Sequence, residues 1–339
     1  MQRFALESLR ELARLRQIVI VAPSGTAIPD GLDGCDVVHV GSGSGHKWEQ
    51  MQLPLYLRRN GSPLLLNLAS TAPVWYGNQI VTHHDITYVR FPQSFSWQFR
   101  LLYGFIVPPF LKNSLAIITV SEFSRREISS HYRIPAGKIH VVPNGVSAFF
   151  RRSPVLVRSG APYALAVSSP NSHKNIARLI EAFSNADRLP VERLVIVGSQ
   201  AKTFSRQTYS LPKSVTLVGS VEDPELLKLY AGAEVFVFPS LYEGFGIPPL
   251  EAQALGTVVA ASAAASIPEV LGESAVYFDP DDTEEIRAAI QRVVSDKGLA
   301  EQLRVKGYEN VSRYTWSRSA SLIDAIIERT KSSNRSLGD

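Results

Sequence analysis

The chain has 339 residues, enough for two domains, since a single domain usually has roughly 100 to 200 residues. Its one cysteine, Cys35, excludes an intrachain disulfide and a metal site built from several cysteines. The net charge is only +4, but residues 1–150 carry 14 Lys and Arg against 9 Asp and Glu. This basic half could meet an anionic membrane surface or a phosphorylated acceptor, or it could be scattered solvated charge. No basic run with interleaved aromatic residues occurs, which argues against nucleic-acid binding.

No stretch of the sequence predicts export or a membrane span. Charged residues interrupt the apolar residues near the N-terminus, so no secretory signal is visible. The longest apolar run, residues 101–111, contains Pro108 and Pro109 and is shorter than the roughly 20 residues that a spanning helix needs. We therefore expect a cytoplasmic protein that can also associate peripherally with the inner face of the cell membrane.

Short apolar runs alternate with helical periods through the first half of the chain. Residues 4–15 have apolar residues at helical spacing, and a strand-like run follows at residues 17–22. This alternation predicts a parallel, doubly wound α/β sheet. Further strands are predicted at residues 36–40, 63–68, 79–82, 115–120 and 138–142, and further helices at residues 48–60, 97–113 and from 122.

A polar connection without periodicity, residues 151–162, separates this half from a second α/β alternation. The second half has predicted strands at residues 163–168, 193–198, 215–218, 234–238, 257–261 and 275–278. We place the N-terminal domain at residues 1–150, the C-terminal domain at 151–316, a helix that packs back on the N-terminal domain at 317–330 and a disordered tail at 331–339.

Residues 239–256, PSLYEGFGIPPLEAQALG, are the most specific stretch of the sequence. They follow the apolar run 234–238, which is typical of a parallel strand buried on both faces. Gly244 and Gly246 would allow the backbone to approach a ligand closely. In open α/β sheets, ligands bind at the carboxyl ends of the strands, where the N-terminal amides of helices meet phosphates.

Glu243 and Glu251 flank this turn with seven residues between them. Carboxylates accept hydrogen bonds from paired hydroxyls and repel phosphate, so the pair suits the sugar ends of a nucleotide-sugar. Alternatively, Glu251 is a solvated helix residue and Glu243 an acid favoured by the helix dipole. That alternative fits most isolated pairs of glutamates, but the strand, turn and helix around this pair favour a ligand.

The segment from Glu243 to Glu251 resembles the E-x7-E signature of retaining glycosyltransferases of family 4. That family has the GT-B fold, in which two doubly wound Rossmann-like domains face each other across a cleft. Other parts of the chain resemble family motifs too: residues 81–85 (an "HD" strand end), 120–128 (VSEFSRREI), 141–146 (VVPNGV), 173–183 (a "KN…LIEAF" segment) and 266–270 (SIPEV).

The resemblance implies a role for each matching residue. Glu251 would hold the ribose of the donor, Lys174 would neutralise the leaving diphosphate, and His84 would lie near the reacting sugar. A structural pairing of His84 with Asp85 is the alternative. The implied catalytic set is His84, Lys174 and Glu243, and the implied donor-binding set is Gly244, Phe245, Gly246, Ile247, Glu251, His173 and Lys174.

The resemblance also implies that neither a metal nor a cofactor is required. Residues 279–282 could be mistaken for a metal site, but acids at this position more simply cap and charge the N-terminus of a helix. Two departures from the family pattern stand out. Where the family often has Gly-Arg, this chain has Ser168, Ser169 and Pro170, which leaves Lys174 with His173 for the diphosphate. The sequence also starts at the first helix, where a first strand and an acceptor loop are expected to precede it.

We therefore expect a retaining, metal-independent hexosyltransferase, with mannose favoured and GDP-mannose as the favoured donor. Residues 48–57 and 67–73 resemble bacterial mannosyl- and rhamnosyltransferases, so the expected acceptor is a lipid-linked glycan or an oligosaccharide of surface polysaccharide synthesis. Two alternatives stay open. One is a scaffold protein that binds nucleotide-sugar and lacks the acceptor loop, and the other is a nucleotide-sugar 2-epimerase of the same architecture.

Overall fold

The computed structural model describes residues 2–32, 34–151, 161–169, 171–184, 189–191, 193–198 and 211–335. Most of the predicted connection, residues 152–160, lies outside the described residues, as do Pro170 and the last four residues of the predicted tail.

The described residues form twelve strands and fourteen α-helices. The strands are β1 (Val19–Ala22), β2 (Asp36–His39), β3 (Leu65–Asn67), β4 (Gln79–Thr82), β5 (Ala116–Thr119), β6 (Ile139–Val141), β7 (Tyr163–Val167), β8 (Arg193–Val197), β9 (Val215–Gly219), β10 (Val235–Phe238), β11 (Val258–Ser262) and β12 (Ala275–Phe278). The helices are α1 (Gln2–Ala13), α2 (Gly45–Lys47), α3 (Leu53–Arg59), α4 (Thr87–Arg90), α5 (Trp97–Asn113), α6 (Glu122–Tyr132), α7 (Ala148–Arg151), α8 (Ile176–Phe183), α9 (Asp223–Gly232), α10 (Ile247–Ala254), α11 (Ile267–Leu271), α12 (Thr283–Ser295), α13 (Lys297–Ser312) and α14 (Trp316–Arg335). One π-helical turn (Trp48–Gln52) and three 3-10 turns (Pro92–Ser94, Ala136–Lys138 and Ser172–Lys174) complete the set.

The chain divides into two compact units. Unit 1 consists of Met1–Val89, Phe95–Gly145 and Trp316–Asp339, and unit 2 of Arg90–Ser94 and Val146–Thr315. The chain therefore passes between the units in four places, after residues 89, 94, 145 and 315. The passage at residue 90, in the short helix α4, has no signal in the sequence pattern.

Unit 1 contains two parallel sheets, one with the order β1-β2 and one with the order β3-β4-β5-β6. All residues of β4 and β5 are buried, as expected for apolar runs covered on both faces. The alternation of strands and helices predicted the parallel pairing. It did not predict that β1 and β2 would pair separately from the other four strands.

Helix α14 packs against α1 within unit 1. Arg16, just beyond α1, donates from Nε to Asp324 at 2.5 Å and from Nη2 to Glu328 at 2.6 Å. The rings of Phe4 and Trp316 also meet edge to face. The prediction of a disordered tail from residue 331 is wrong as far as residue 335, because α14 continues to Arg335 with hydroxyls such as that of Ser332 bonded to carbonyls one turn earlier.

Unit 2 contains one six-stranded parallel sheet with the order β12-β11-β10-β7-β8-β9. Alternate residues of β10 face opposite sides of this sheet. Val235 and Val237 join the buried cluster that includes Leu179 of α8 and Ile290 of α12. Phe236 instead packs against the ring of Tyr230 on α9. Helices thus cover both faces, which explains why the strand is an unbroken apolar run.

Gly198, the residue after β8, leaves no space for a side chain. Its φ is +153°, and a Cβ at this position would lie 1.7 Å from the backbone oxygen of Ser168. Gly198→Ala should therefore lower the free energy of unfolding by about 3 kcal/mol, measured by urea titration. Gly298→Ala is the matched control in unit 2, because its Cβ would meet only Asp296 at an ordinary 3.4 Å. Equal stability of the two variants would contradict the prediction.

Candidate functional site

The strand order of unit 2 reverses between β7 and β10. Strands β8 and β9 follow on one side of β7, whereas β10, β11 and β12 lie on the other. Loops at the carboxyl ends of two such strands diverge and leave a crevice, and ligands of open parallel sheets bind there. Lys174 lies in the turn that follows β7, and Glu243 lies in the loop that follows β10. Both sequence-predicted residues therefore flank the switch point.

Lys174 and Glu243 form an ion pair across this crevice. Lys174 Nζ donates to Glu243 Oε1 at 2.6 Å, and the side chains are 21% and 12% exposed. Two serines fix the glutamate further: Ser240 Oγ donates to its Oε1 at 2.8 Å, and Ser266 Oγ donates to its backbone oxygen at 2.9 Å. The loops after β7, β10 and β11 thus converge on Glu243, and the first two supply the groups that bind its partly buried carboxylate.

The glycine turn between Glu243 and α10 is buried and tightly packed. Gly246 has a φ of +91°, and a Cβ there would lie 3.1 Å from the ring of Phe238. The side chain of Phe245 is only 5% exposed and packs against the ring of Tyr314. A ligand at this turn would therefore meet the backbone of Gly244, Phe245 and Gly246 rather than the ring of Phe245. Ile247, partly buried, begins α10. Because Pro248 and Pro249 follow it without N–H groups, an anion at this end of the helix would meet the N–H groups of the glycine turn and of Ile247.

Glu251 lies in the middle of α10 and is 3% exposed. The hydroxyl of Tyr230 donates to its Oε2 at 3.1 Å. A buried carboxylate is costly unless it is hydrogen-bonded, so the alternative of a solvated helix residue is excluded. Tyr230 comes from α9, and the sequence offers no signal for this contact because the two residues are 21 positions apart.

His173 and Asn175 hold the turn after β7 in place. The backbone oxygen of His173 accepts from Leu241 at 2.8 Å, and its Nδ1 lies 3.1 Å from Ser94 Oγ. Asn175 has a φ of +56° and donates from Nδ2 to the backbone oxygens of Pro239 and Pro280, at 3.2 and 2.7 Å. His173 is 6% exposed, so its ring supports the loop on which Lys174 is carried.

The position at which the family often has Gly-Arg carries no cation among the described residues. Ser168 and Ser169 follow β7, and Ser169 Oγ accepts from Asn171 Nδ2 at 3.2 Å. Arg178, in the first turn of α8, pairs with Asp281 and donates to the backbone oxygen of Pro280 at 3.0 Å. Lys174 is therefore the cation that reaches the carboxylate of the glycine turn.

The acidic run at residues 279–282 caps a helix, as predicted. Asp282 Oδ1 accepts from the backbone N–H groups of Glu284 and Glu285 at 2.8 and 3.2 Å, which fixes the first turn of α12. Within the described ranges, no group of three or more His, Cys, Asp and Glu side chains is arranged to hold a metal ion.

His84 belongs to unit 1, whereas Lys174, Glu243 and Glu251 belong to unit 2. It follows β4, is 8% exposed, and lies edge to face against the ring of Phe4 with centroids 4.9 Å apart. Its Nε2 is buried without a hydrogen-bond partner. Burial lowers the pKa of His84 to about 3, which keeps the ring neutral at physiological pH. Asp85 instead bonds the N–H and hydroxyl of Thr87, so the structural pairing of His84 with Asp85 is not formed.

His83 is also buried, but in an aromatic cluster of unit 1. Its Nε2 lies 3.2 Å from the hydroxyl of Tyr88, and its Nδ1 lies 3.4 Å from the backbone oxygen of Ser70. Both ring nitrogens therefore have partners within the protein. This arrangement supports a structural role for His83 and leaves His84 as the histidine with an unsatisfied nitrogen.

Sequence reasoning missed Ser240, Ser266 and Tyr230 as site residues. Ser240 precedes Glu243 by three positions in the loop after β10, and this short separation could have indicated a hydrogen bond between them. Ser266 stands in the SIPEV segment that resembles a family motif, and its position there gave no reason to pair it with a residue 23 positions earlier.

Known proteins match the chain over nearly its whole length. The family described as "Glycosyltransferase Family 4" matches residues 1–148, and "Glycosyl transferases group 1" matches residues 150–310. O-antigen chain mannosyltransferase B of Escherichia coli is 32% identical over 225 residues, which cover 61% of this chain and 58% of the relative. O-antigen chain mannosyltransferase RfbU of Salmonella typhimurium is 30% identical over 266 residues, which cover 75% of this chain and 70% of the relative.

A solved structure supports the fold. HepE of Anabaena, in complex with UDP and glucose, matches with a TM-score of 0.74 at 17% identity, covering 96% of this chain and 95% of that protein. Two parallel α/β units, together with the family and structure matches, define a protein of the GT-B glycosyltransferase class. The chain belongs to glycosyltransferase family 4. In the part of the chain that the structure describes, no helix is long and apolar enough to cross a membrane.

Proposed function

We propose that this chain is a retaining mannosyltransferase that transfers mannose from GDP-mannose to a lipid-linked or oligosaccharide acceptor of bacterial surface polysaccharide synthesis. The observation that carries the proposal is the Lys174–Glu243 pair at the switch point of unit 2, with the buried Glu251 further along the same motif. The two O-antigen mannosyltransferases among the relatives support the choice of sugar. A lipid-linked acceptor would place the reaction at the inner face of the cell membrane.

The charges of the site suit a nucleotide-sugar. Lys174 Nζ has three hydrogens, so it can keep its bond to Glu243 while donating to a diphosphate oxygen. The backbone N–H groups of the glycine turn and of Ile247 would meet the same anion. Glu243 would accept hydrogen bonds from hydroxyls of the sugar, and Glu251 from hydroxyls of the ribose.

The proposed reaction takes place on one face of the sugar. The bond between the anomeric carbon and the diphosphate oxygen breaks, and Lys174 and the amides stabilise the negative charge that develops on the leaving group. The acceptor hydroxyl attacks the anomeric carbon from the side that the diphosphate leaves, and its proton passes to a phosphate oxygen. His84, with a neutral ring and an unsatisfied Nε2, is proposed to hydrogen-bond the reacting sugar. The proposed reaction involves neither a metal nor a protein nucleophile.

Calorimetry across GDP-, UDP-, ADP- and dTDP-sugars tests the donor. We expect GDP-mannose to bind most tightly, and Glu251→Gln to weaken its binding at least about tenfold, because a charged acceptor of two hydroxyls is lost. Tyr230→Phe should weaken binding less, since the carboxylate stays in place. Glu309→Gln, at an exposed site on α13, is the matched control and should bind like the wild type.

Product analysis separates the remaining alternatives. Transfer with retention predicts that the new glycosidic bond has the anomeric configuration of the donor. A free epimerised sugar nucleotide formed without any acceptor would instead indicate a 2-epimerase. Tight donor binding with no product under any condition would indicate a scaffold protein.

A further inference from the structure

Helix α5 of unit 1 is apolar on both of its faces. Its inner face carries Tyr103, Val107, Phe110 and Leu111, which are buried in unit 1. A helix that is apolar all round is normally covered on every side. The outer face of α5 is therefore unusual, because nothing in the described protein covers it.

The outer face is formed by three large side chains at successive four-residue steps. Trp97 is 67% exposed, Leu101 54% and Phe105 72%. Residues i, i+4 and i+8 lie above one another on a helix, so these three form one stripe about 12 Å long. We call Trp97, Leu101 and Phe105 the α5 stripe. Leu102 widens it, with 37% exposure.

The charged residues next to the α5 stripe in the sequence all have one sign. Between Asp85 and Glu122 the sequence contains no acidic residue, and its charged residues are Arg90, Arg100 and Lys112. Arg100 and Lys112 lie on α5 itself and are exposed. Trp and Phe flanked by basic residues are typical of protein surfaces that bind the interface of an anionic bilayer.

The same charges argue against a second copy of this chain as the partner. A two-fold interface places one patch on the same patch of the other subunit. Arg100 and Lys112 would then approach their own copies with no acid on α5 to pair with. One stripe of three side chains is also small against the roughly 800 Å² per partner that a stable interface buries.

We propose that the α5 stripe docks unit 1 on a lipid bilayer with anionic headgroups, with Arg100 and Lys112 on the phosphate layer. The helix would lie in the interface and would not cross the bilayer. It has 17 residues, is interrupted by Pro108 and Pro109, and is buried along its other face. The proposal goes beyond the proposed function and holds whatever the donor and linkage are.

Cosedimentation of the full chain with vesicles tests the docking. The chain should pellet with phosphatidylcholine–phosphatidylglycerol vesicles and much less with phosphatidylcholine alone. Replacing the stripe (Trp97→Ser, Leu101→Ser and Phe105→Ser together) should lower the partition coefficient at least about 100-fold, because three large apolar contacts are lost. Arg100→Gln with Lys112→Gln should lower it about tenfold on anionic vesicles, an effect that salt also produces.

The control removes exposed apolar side chains from other helices. Val305→Ser on α13 and Leu322→Ser on α14 replace side chains that are 49% and 37% exposed, and they should leave partitioning unchanged. Because all these positions are exposed, circular dichroism and the thermal midpoint should match those of the wild type. A stripe variant that folds and pellets as well as the wild type would overturn the proposal.

The fluorescence of Trp97 shows whether the α5 stripe enters the bilayer. Trp75 and Trp97 are the exposed tryptophans, at 74% and 67%, whereas Trp48 and Trp316 are buried. In a Trp75→Phe chain, anionic vesicles should therefore shift the emission of Trp97 to the blue, and brominated acyl chains should quench it. Emission that aqueous acrylamide still quenches fully would contradict docking. A dimer that the stripe variant dissociates, with no vesicle binding by the wild type, would assign the stripe to a subunit interface instead.

Discussion

Lys174→Met is expected to lower kcat/KM for sugar transfer by about a thousandfold, which is typical for the loss of one fixed group that stabilises developing charge. Lys174 donates to Glu243 at 2.6 Å and stands at the carboxyl end of β7, where the diphosphate of the proposed donor would lie. No cation occupies the preceding Ser168-Ser169 position to take over its role. Transfer measured with GDP-mannose should show most of the loss in kcat, because the negative charge of the leaving group is greatest in the transition state.

The Lys174→Met variant also leaves Glu243 without its cation. The effect of this unpaired carboxylate on activity has to be separated from the loss of the lysine itself. Lys174→Met combined with Glu243→Gln removes both charges and distinguishes the two causes. If the loss came from an unpaired carboxylate, the double variant would regain activity. We expect it to stay inactive, and we expect Lys228→Met on α9 to behave like the wild type, since Lys228 is exposed. More than a tenth of the wild-type activity in Lys174→Met would contradict the assignment.

The elements around the glycine turn could be predicted because their signals are local. An apolar run, two glycines and a proline at the first turn of a helix are each read within a few residues. The contact between Lys174 and Glu243 could not be predicted from local signals. These residues are 69 positions apart, and the distance between them depends on β7 and β10 being neighbours in the sheet. A family resemblance indicated both residues, but only the strand order explains why they touch.

Burial was the property that the sequence pattern predicted least well. Glu251 reads as a polar helix residue, yet it is buried against Tyr230, because α9 and α10 pack together. Residues 97–113 were predicted as a helix, and the pattern could not tell which of its apolar side chains would stay exposed. In both cases the outcome depends on which neighbouring element covers the residue, and such contacts between distant segments leave no periodic trace.

The buried histidines of unit 1 lead to an expected acid sensitivity. Burial lowers the pKa of His83 to about 4 and that of His84 to about 3, while Asp85 opposes the shift in both cases. In the unfolded chain each histidine has a pKa near 6.5. As the pH falls below 6.5, the unfolded chain therefore takes up protons that the folded chain does not. The free energy of unfolding must fall over this range, from about pH 6.5 towards pH 4.

We expect the free energy of unfolding of unit 1 to fall by about 4 kcal/mol between pH 7.5 and pH 5. Each histidine that stays neutral in the folded chain contributes about 2 kcal/mol of this decrease. Urea titrations at several pH values measure this slope. His83→Gln with His84→Asn should lower stability at pH 7.5, because packing against Phe4 and the bond to Tyr88 are changed, but it should flatten the dependence on pH. The flatter dependence of stability on pH is the decisive observation, because loss of packing alone lowers stability equally at every pH. A double variant with an unchanged slope would show that other groups cause the acid sensitivity.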